Sequence, residues 1–245
     1  MKLIVCGKGG SGKSTVSALL ARAYVRRGRN VLVVDSDESN FGLHKQLGLP
    51  LPEDFTHFFG HKKGIFEDGA EEAFGDGWKL ADLPDAFVSR QGPLRLMAMG
   101  KIAQAGEGCA CPMGVLTKTF LEHLRLEKED MVIVDTEAGV EHFGRGVDRF
   151  ADAILMIADP SYESVRLAEK ITEMGRAIDR PVFVVLNKAN EEQLEVMRQI
   201  LPPDVNVIAA LPMDSEILMA GLKGEALTQE PAQLAKILKV LEGIG

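Results

Sequence analysis

The stretch KLIVCGKGGSGKST, residues 2–15, joins a short apolar run to the start of a helical pattern. Residues 7–14 within it fit the spacing G-x-x-x-x-G-K-[ST] of a phosphate-binding loop, in the strand-to-helix setting that such a loop requires. Glycines let the backbone N–H groups turn inward, and these groups form an anion site together with the helix N-terminus. We expect Lys13 to reach the β- and γ-phosphates of a nucleotide and the Ser14 hydroxyl to bind Mg²⁺. The other nucleotide-binding residues predicted here are Gly9, Gly10, Ser11, Gly12 and Thr15.

Six further apolar runs resemble the one that precedes the loop. They are Val31–Asp35, Leu94–Ala98, Met131–Asp135, Ala153–Ala158, Pro181–Leu186 and Val205–Ala209. Near-continuous apolar runs are typical of strands that are buried on both faces. Helical patterns lie between them, as in Ser14–Arg27 and Ser161–Ile178, and this alternation predicts a parallel α/β sheet.

The whole chain, residues 1–245, is predicted to be a single P-loop NTPase domain of the α/β class. We expect a mostly parallel sheet of seven to eight strands with helices on both faces. The segment 49–91 departs from the pattern, since it holds several glycines and prolines, His57 and His61, and most of the aromatic residues. We interpret it as a variable insertion on the sheet edge, and we assign no role to its two histidines.

Composition excludes some classes of function. The 28 basic and 36 acidic residues give a net charge of −8, which argues against a protein that coats nucleic acid. No apolar run approaches the roughly 18 residues that span a bilayer, and the N-terminal apolar run is too short for a signal peptide. We therefore expect a cytoplasmic protein with no nucleic-acid partner and no stable membrane association. The amphipathic C-terminal stretch is predicted to be a core-packing helix rather than a membrane anchor.

Acidic residues follow two of the predicted strands. Asp35 and Asp37 end the stretch VLVVDSD, and MVIVDTEAG supplies Asp135 and Gly139. Ligands of open α/β sheets bind at the carboxyl ends of the strands, where these residues fall. We expect Asp135 to hold Mg²⁺ through water and the Gly139 N–H to reach the γ-phosphate. Asp35 is predicted to belong to the Mg²⁺ shell or to fix its loop, while helix capping is the alternative for Asp37.

The loop sequence K-G-G-x-G-K-S has an additional early lysine, Lys8, that the general motif does not demand. In this it resembles the deviant phosphate loop of the ATPase family that includes the nitrogenase iron protein, MinD and ParA. The resemblance implies that Lys8 reaches the nucleotide of the other subunit of a homodimer and neutralises charge on the transferred phosphoryl group. It also implies that Asp37 orients the attacking water, so that Lys8, Lys13 and Asp37 form the catalytic set.

The same resemblance implies a base-binding role for Asn187, which ends the stretch VVLN, through an amide suited to the adenine edge. Guanine-specific relatives use N-K-x-D, and here Asn190 stands in place of that aspartate, which favours ATP and ADP over guanine nucleotides. Pro212 and Asp214 are expected near the base on the same ground.

Cys109 and Cys111 lie one residue apart, before a helical pattern, and such spacing lets two thiolates face one ion. Two ligands do not complete a four-coordinate Ni²⁺ or Zn²⁺ site, but a two-fold axis through the metal would duplicate the pair. Two small packing residues are the alternative interpretation. Cys6 lies within an apolar run and is predicted to be a core residue.

The set GKGGSGKST, DSD, GCACP, DTEAG and VLNK resembles the CooC-type ATPases that deliver nickel to carbon monoxide dehydrogenase. This resemblance implies a homodimer promoted by nucleotide and metal, with carbon monoxide dehydrogenase as its client. Two other functions remain open. One is a MinD/ParA-type positioning ATPase, and the other is an iron–sulfur cluster carrier or electron-transfer ATPase.

Overall fold

The structure, a computed structural model, describes residues 1–60, 73–101 and 111–244. Within these ranges the chain forms an eight-stranded sheet. Its strands are β1 (Lys2–Gly7), β2 (Asn30–Asp35), β3 (Ser89–Gln91), β4 (Leu94–Ala98), β5 (Asp130–Asp135), β6 (Ala153–Ala158), β7 (Val182–Asn187) and β8 (Val207–Leu211).

The strand order is β3-β4-β2-β5-β1-β6-β7-β8. All neighbouring pairs are parallel except β3 and β4, which are antiparallel. The prediction of a mostly parallel sheet of seven to eight strands is therefore confirmed. Strand β1 lies between β5 and β6, and the phosphate-binding loop at its carboxyl end faces the carboxyl end of β5.

The described α-helices connect and cover these strands. They are α1 (Lys13–Arg26), α2 (Leu43–Gln46), α3 (Cys111–His123), α4 (Glu141–Gly144), α5 (Tyr162–Ala177), α6 (Glu191–Ile200), α7 (Ser215–Lys223) and α8 (Leu234–Glu242). Helices α1 and α5 each lie within one residue of the predicted bounds. Short 3₁₀ helices cover Phe55–Phe59, Asp85–Phe87 and Val147–Phe150.

Two apolar layers cover the two faces of the sheet. Alternate residues of β1 show the division, because Leu3 and Val5 belong to one layer and Ile4 and Cys6 to the other. Cys6 is fully buried, as expected of a core residue, and burial raises the pKa of its thiol. Burial on both faces accounts for the near-continuous apolar sequence of these strands.

The described part of segment 49–91 packs through its aromatic residues. Phe55 contacts Phe74, Trp78 and Phe87, and it also contacts Phe120 of α3. Its His57 is exposed beside Glu53, whereas His61 lies outside the described residues.

Helix α8 packs its apolar face against the sheet. Leu234, Ile237, Leu238 and Leu241 are fully buried, so this face is used within the core. Among the described residues, no helix has the length and apolar character to cross a membrane.

Candidate nucleotide-binding site

The phosphate-binding loop turns from β1 into α1 at the centre of the sheet's carboxyl edge. The Lys13 side chain is buried, and its Nζ lies 3.5 Å from the carbonyl oxygen of Lys8. Gly12 has a φ of +101°, a conformation that side chains rarely adopt. A Cβ at this position would also overlap the Asn187 amide, so both backbone and packing require glycine.

A network of hydrogen bonds joins the loop to the end of β5. The Ser14 hydroxyl donates to Oδ2 of Asp135 at 2.6 Å, and the Ser17 hydroxyl donates to Oδ1 at 3.1 Å. Asn40 donates to the Ser14 oxygen at 2.8 Å and to Oδ2 of Asp135 at 3.2 Å. Burial raises the pKa of Asp135 to about 6, although the bonds from Ser14 and Ser17 oppose this effect. Serine hydroxyl and carboxylate oxygens are the ligand types that suit Mg²⁺.

The sequence analysis missed Asn40 as part of this network. The residue lies in the loop after β2, and no predicted motif includes it. Its side-chain oxygen accepts from the backbone of Gly42 at 2.9 Å, which fixes the amide orientation toward Ser14. The sequence signal that could have indicated Asn40 is the presence of a polar amide five residues after Asp35, which ends β2.

The acidic loop after β2 places its two aspartates in different surroundings. Asp35 is buried, and its Oδ2 lies 2.7 Å from the ammonium of Lys101. Burial raises the pKa of Asp35 to about 7, while Lys101 opposes the rise. Asp35 is therefore paired with Lys101, a contact that fits the loop-fixing alternative. Among the described contacts, the Asp35 carboxylate makes no hydrogen bond to Ser14. Asp37 lies in the phosphate cavity and accepts from the backbone and hydroxyl of Ser39 at 3.0 and 2.6 Å.

Lys8 is held by its own chain. Its Nζ lies 3.4 Å from Asp159, 3.2 Å from the Ser161 hydroxyl and 4.0 Å from Glu163. These three residues lie at and before the first turn of α5, so the side chain is turned toward that helix. The role of Lys8 at a partner's nucleotide stays a prediction.

The segment after β5 contains Gly139, which has a φ of +90° and donates its N–H to the Gly7 carbonyl at 3.3 Å. Glu137 in the same segment forms an ion pair with Arg145. The Gly139 N–H is therefore bonded to the phosphate-binding loop, and its expected contact with a γ-phosphate stays a prediction.

A buried histidine and carboxyl group face each other beyond this segment. His142 Nε2 and Asp148 Oδ1 are 3.5 Å apart, and both side chains are almost fully enclosed. Burial lowers the pKa of His142 to about 3 and raises the pKa of Asp148 to about 7. Between about pH 3 and pH 7 both side chains are therefore largely uncharged, and this limits the free-energy cost of burying them.

Two adjoining cavities extend from the loop. The first, of about 620 Å³, is lined by the loop, the acidic loop and Glu137, and it suits phosphates and a metal ion. The second, of about 830 Å³, is lined by Asn187, Leu211, Pro212 and Asp214 among others. Thr15, Gln46 and Lys188 line both cavities.

Three predicted base-side residues lie at the second cavity with distinct contacts. Asn187 donates its amide to the Ser11 carbonyl at 2.7 Å, so it supports the phosphate-binding loop. Asp214 caps α7 by accepting from the backbone of Glu216 and Ile217 at 2.9 and 3.2 Å. Pro212 lines the wall. The expected adenine contacts of these residues stay predictions.

The predicted metal-binding cysteines fall largely outside the described structure. Cys109 lies in 102–110, outside the described residues, and Cys111 begins helix α3. Within the described ranges, no cluster of three or more His, Cys, Asp or Glu side chains suits a metal ion.

The site combines a strand, a glycine-rich loop and a helix with the Ser14–Asp135 pair at the neighbouring strand. This combination defines a P-loop nucleotide-binding protein. Residues 2–227 match the family described as the CobQ/CobB/MinD/ParA nucleotide binding domain. The chain belongs to this family. The predicted resemblance to MinD and ParA is thereby confirmed at the level of the family.

Two curated relatives align with most of the chain. An uncharacterized ATP-binding protein of Methanocaldococcus jannaschii is 43% identical over 248 residues, which cover 98% of this chain and 99% of that protein. The carbon monoxide dehydrogenase accessory protein CooC of Rhodospirillum rubrum is 31% identical over 235 residues, covering 91% and 88%. The chain is an ATP-binding ATPase of this family, as predicted.

The solved structures show the same fold. The septum site-determining protein MinD of Pyrococcus horikoshii, complexed with Mg-ADP, has a TM-score of 0.71 and 17% identity, covering 98% of this chain and 95% of that one. This likeness confirms the predicted α/β fold class.

Proposed function

We propose that the protein is a cytoplasmic, ATP-dependent metallochaperone that carries nickel or zinc and inserts nickel into carbon monoxide dehydrogenase. The observation that carries the proposal is the joint presence of a complete phosphate-loop site and the Cys109–Cys111 pair. This combination occurs in a chain 31% identical to CooC of Rhodospirillum rubrum. Both the metal site and the client are inferences from that relative and from the chemistry of paired thiolates.

The described residues fit a nucleotide with Mg²⁺. The loop amides of residues 9–15 and the Lys13 ammonium would hold the phosphates, while Ser14 would bind the ion directly and Asp135 through water. Bound Mg²⁺ would neutralise charge on the β- and γ-phosphates. Asp37 would orient the attacking water, and Asn40 would keep the Ser14 oxygen turned toward the ion. The second cavity has room for the base beside Asn187 and Pro212.

A homodimer is part of the proposal because two features are incomplete in one chain. The Cys109–Cys111 pair supplies two thiolates, and a four-coordinate site requires two more, which a two-fold axis would provide. Lys8 would reach the partner's nucleotide after leaving Asp159 and Ser161. Nucleotide and metal would each favour the dimer, since each binds a site that only the dimer completes.

The decisive experiment is an anaerobic Ni²⁺ and Zn²⁺ titration of the full chain, read by native mass spectrometry with and without ADP. We expect one metal ion per two chains for the wild type and none for Cys109→Ala/Cys111→Ala, with ADP binding retained in both. Cys6→Ala is the matched control, because it removes a buried thiol and should leave the stoichiometry unchanged. Unchanged stoichiometry in the double variant would contradict the metal site.

Two further measurements separate the alternatives. An iron–sulfur absorption spectrum after reconstitution, lost in the double variant, would favour a cluster carrier. A positioning ATPase requires a membrane or DNA surface, and two observations argue against it here. The apolar face of α8 is buried, and the chain carries a net charge of −8. Vesicle and DNA sedimentation with ATP present would detect such binding directly.

A further inference from the structure

Lys101, which no predicted motif includes, bonds to the acidic loop that follows β2. Its residue is only 8% exposed, and its Nζ lies 2.7 Å from Oδ2 of Asp35. The same ammonium donates to the backbone carbonyl of Asp37 at 2.6 Å. The backbone N–H of Lys101 donates to Oδ2 of Asp54 at 2.8 Å, so both the backbone and the side chain of Lys101 are fixed.

Burial of an ammonium group costs free energy, and the Lys101 ammonium makes its hydrogen bonds to the acidic loop. Burying a charge is tolerated only where partners replace its hydration. Here the partners are the end of β2 and the carbonyl of Asp37, the residue proposed to orient water. Ser39 fixes the Asp37 carboxylate, while Lys101 fixes the Asp37 backbone. An apolar side chain would fill the space but would leave that carbonyl without its donor.

We propose that Lys101 is a positioning residue that holds the acidic loop for hydrolysis. Without its ammonium, the Asp35 carboxylate and the Asp37 carbonyl each lose a charge-assisted hydrogen bond, and the backbone that carries the Asp37 carboxylate is no longer fixed. The inference rests on the proposed role of Asp37 in ATP hydrolysis and does not depend on the proposed metal site.

The test measures steady-state ATP hydrolysis. Lys101→Met should lower kcat about tenfold to a hundredfold, the range for one lost charge-assisted hydrogen bond, with KM for ATP changed less than about threefold. Lys101→Met/Asp35→Asn removes both charges, so no uncompensated carboxylate remains to unfold the protein. It should show the same kcat loss with an unchanged half-saturating Mg²⁺ concentration, whereas loss of a Mg²⁺ ligand would raise that concentration.

The matched control is Lys79→Met, which removes an exposed lysine paired with Glu127 and should leave kcat unchanged. A folded double variant with wild-type kcat would overturn the positioning role. A raised Mg²⁺ requirement would overturn it as well, since Asp35 would then account for the loss.

This assay is run without added nickel or zinc, so failure of the metal titration would remove the proposed metallochaperone function without deciding the role of Lys101.

Discussion

The substitution Asp135→Asn should stabilise the nucleotide-free protein while it abolishes Mg²⁺-dependent hydrolysis. Asp135 is fully buried at the end of β5, and burial raises the pKa of its carboxyl to about 6. In an unfolded chain the same group has a pKa of about 3.8. The native protein therefore binds the proton more tightly than the unfolded chain does.

The magnitude follows from this difference in pKa. Above pH 6 the carboxyl is ionised in both states, and the native state bears a cost of about 3 kcal/mol. That cost diminishes as the pH falls from 6 to 4 and is absent below the unfolded pKa, where both states are protonated. The asparagine variant does not bear this cost. Its amide cannot accept hydrogen bonds from Ser14, Ser17 and Asn40 together, however, and this loss destabilises the variant by about 1 kcal/mol. A net gain of about 2 kcal/mol at pH 8 is expected.

The assay is urea unfolding of both proteins at pH 8 and pH 3.5, with chelator and without nucleotide. The difference in unfolding free energy should appear at pH 8 and fall below about 0.5 kcal/mol, or reverse, at pH 3.5. Comparison of the two proteins cancels the titration of Asp148, which both retain. The Asp135 charge contributes to the raised pKa of Asp35, so its removal favours ionised Asp35 and acts in the same stabilising direction. Glu225→Gln, which removes an exposed carboxylate outside the helices and strands, should change neither value.

An asparagine variant that is less stable than the wild type at pH 8 would refute the reasoning. That result would mean that the hydrogen bonds to the carboxylate outweigh its burial cost. A stabilised variant that still hydrolyses ATP at the wild-type rate would instead refute the assignment of Asp135 to the Mg²⁺ site.

Four further substitutions test other parts of the site. Lys8→Ala should abolish hydrolysis and keep ADP binding measured by calorimetry, and full turnover would contradict its role at the partner's nucleotide. Gly12→Ala should weaken ADP binding at least about fivefold, because backbone strain alone costs about 1–2 kcal/mol; Gly28→Ala, also at positive φ but in open space, should leave affinity unchanged. Asn187→Ala should weaken ATP and GTP by similar factors if the amide supports the loop, and a loss confined to ATP would show adenine recognition instead. Asp148→Asn should raise the unfolding free energy above pH 7 and leave it unchanged below about pH 4, since burial raises the pKa of this carboxyl.

Most of the sheet was predictable because its strands are buried on both faces. Burial on both faces imposes a continuous apolar run, which the sequence displays plainly in β1, β2, β5 and β6. Strand β3 has the sequence SRQ and two exposed residues, so its pairing with β4 leaves no apolar signal. Its antiparallel place at the sheet edge is set by the two-residue turn into β4.

Site residues could be predicted where the backbone conformation restricts the residue type. They could not be predicted where their position depends on contacts that are distant in sequence. Gly12 follows from the loop motif, because only glycine combines its φ with a close neighbour. Asn40 and Lys101 act through partners that are distant in sequence, and neither has a local pattern. The side-chain directions of Asn187 and Lys8 depend on which partner is nearest in a single chain, and spacing does not encode that choice.

Lys8 is paired within its own chain, so its predicted role at a partner's nucleotide requires that pair to open. Lys8 and Asp159 are 24% and 19% exposed, so water reaches both groups, and exposed pairs contribute about 0–1 kcal/mol. A triphosphate carries more negative charge than the Asp159 carboxylate, so in the proposed dimer it would compete for the Lys8 ammonium. The net charge of −8 on each chain opposes the association of two chains, and a contact of Lys8 with the partner's phosphates would offset part of that repulsion. Formation of the proposed dimer would then depend on bound nucleotide.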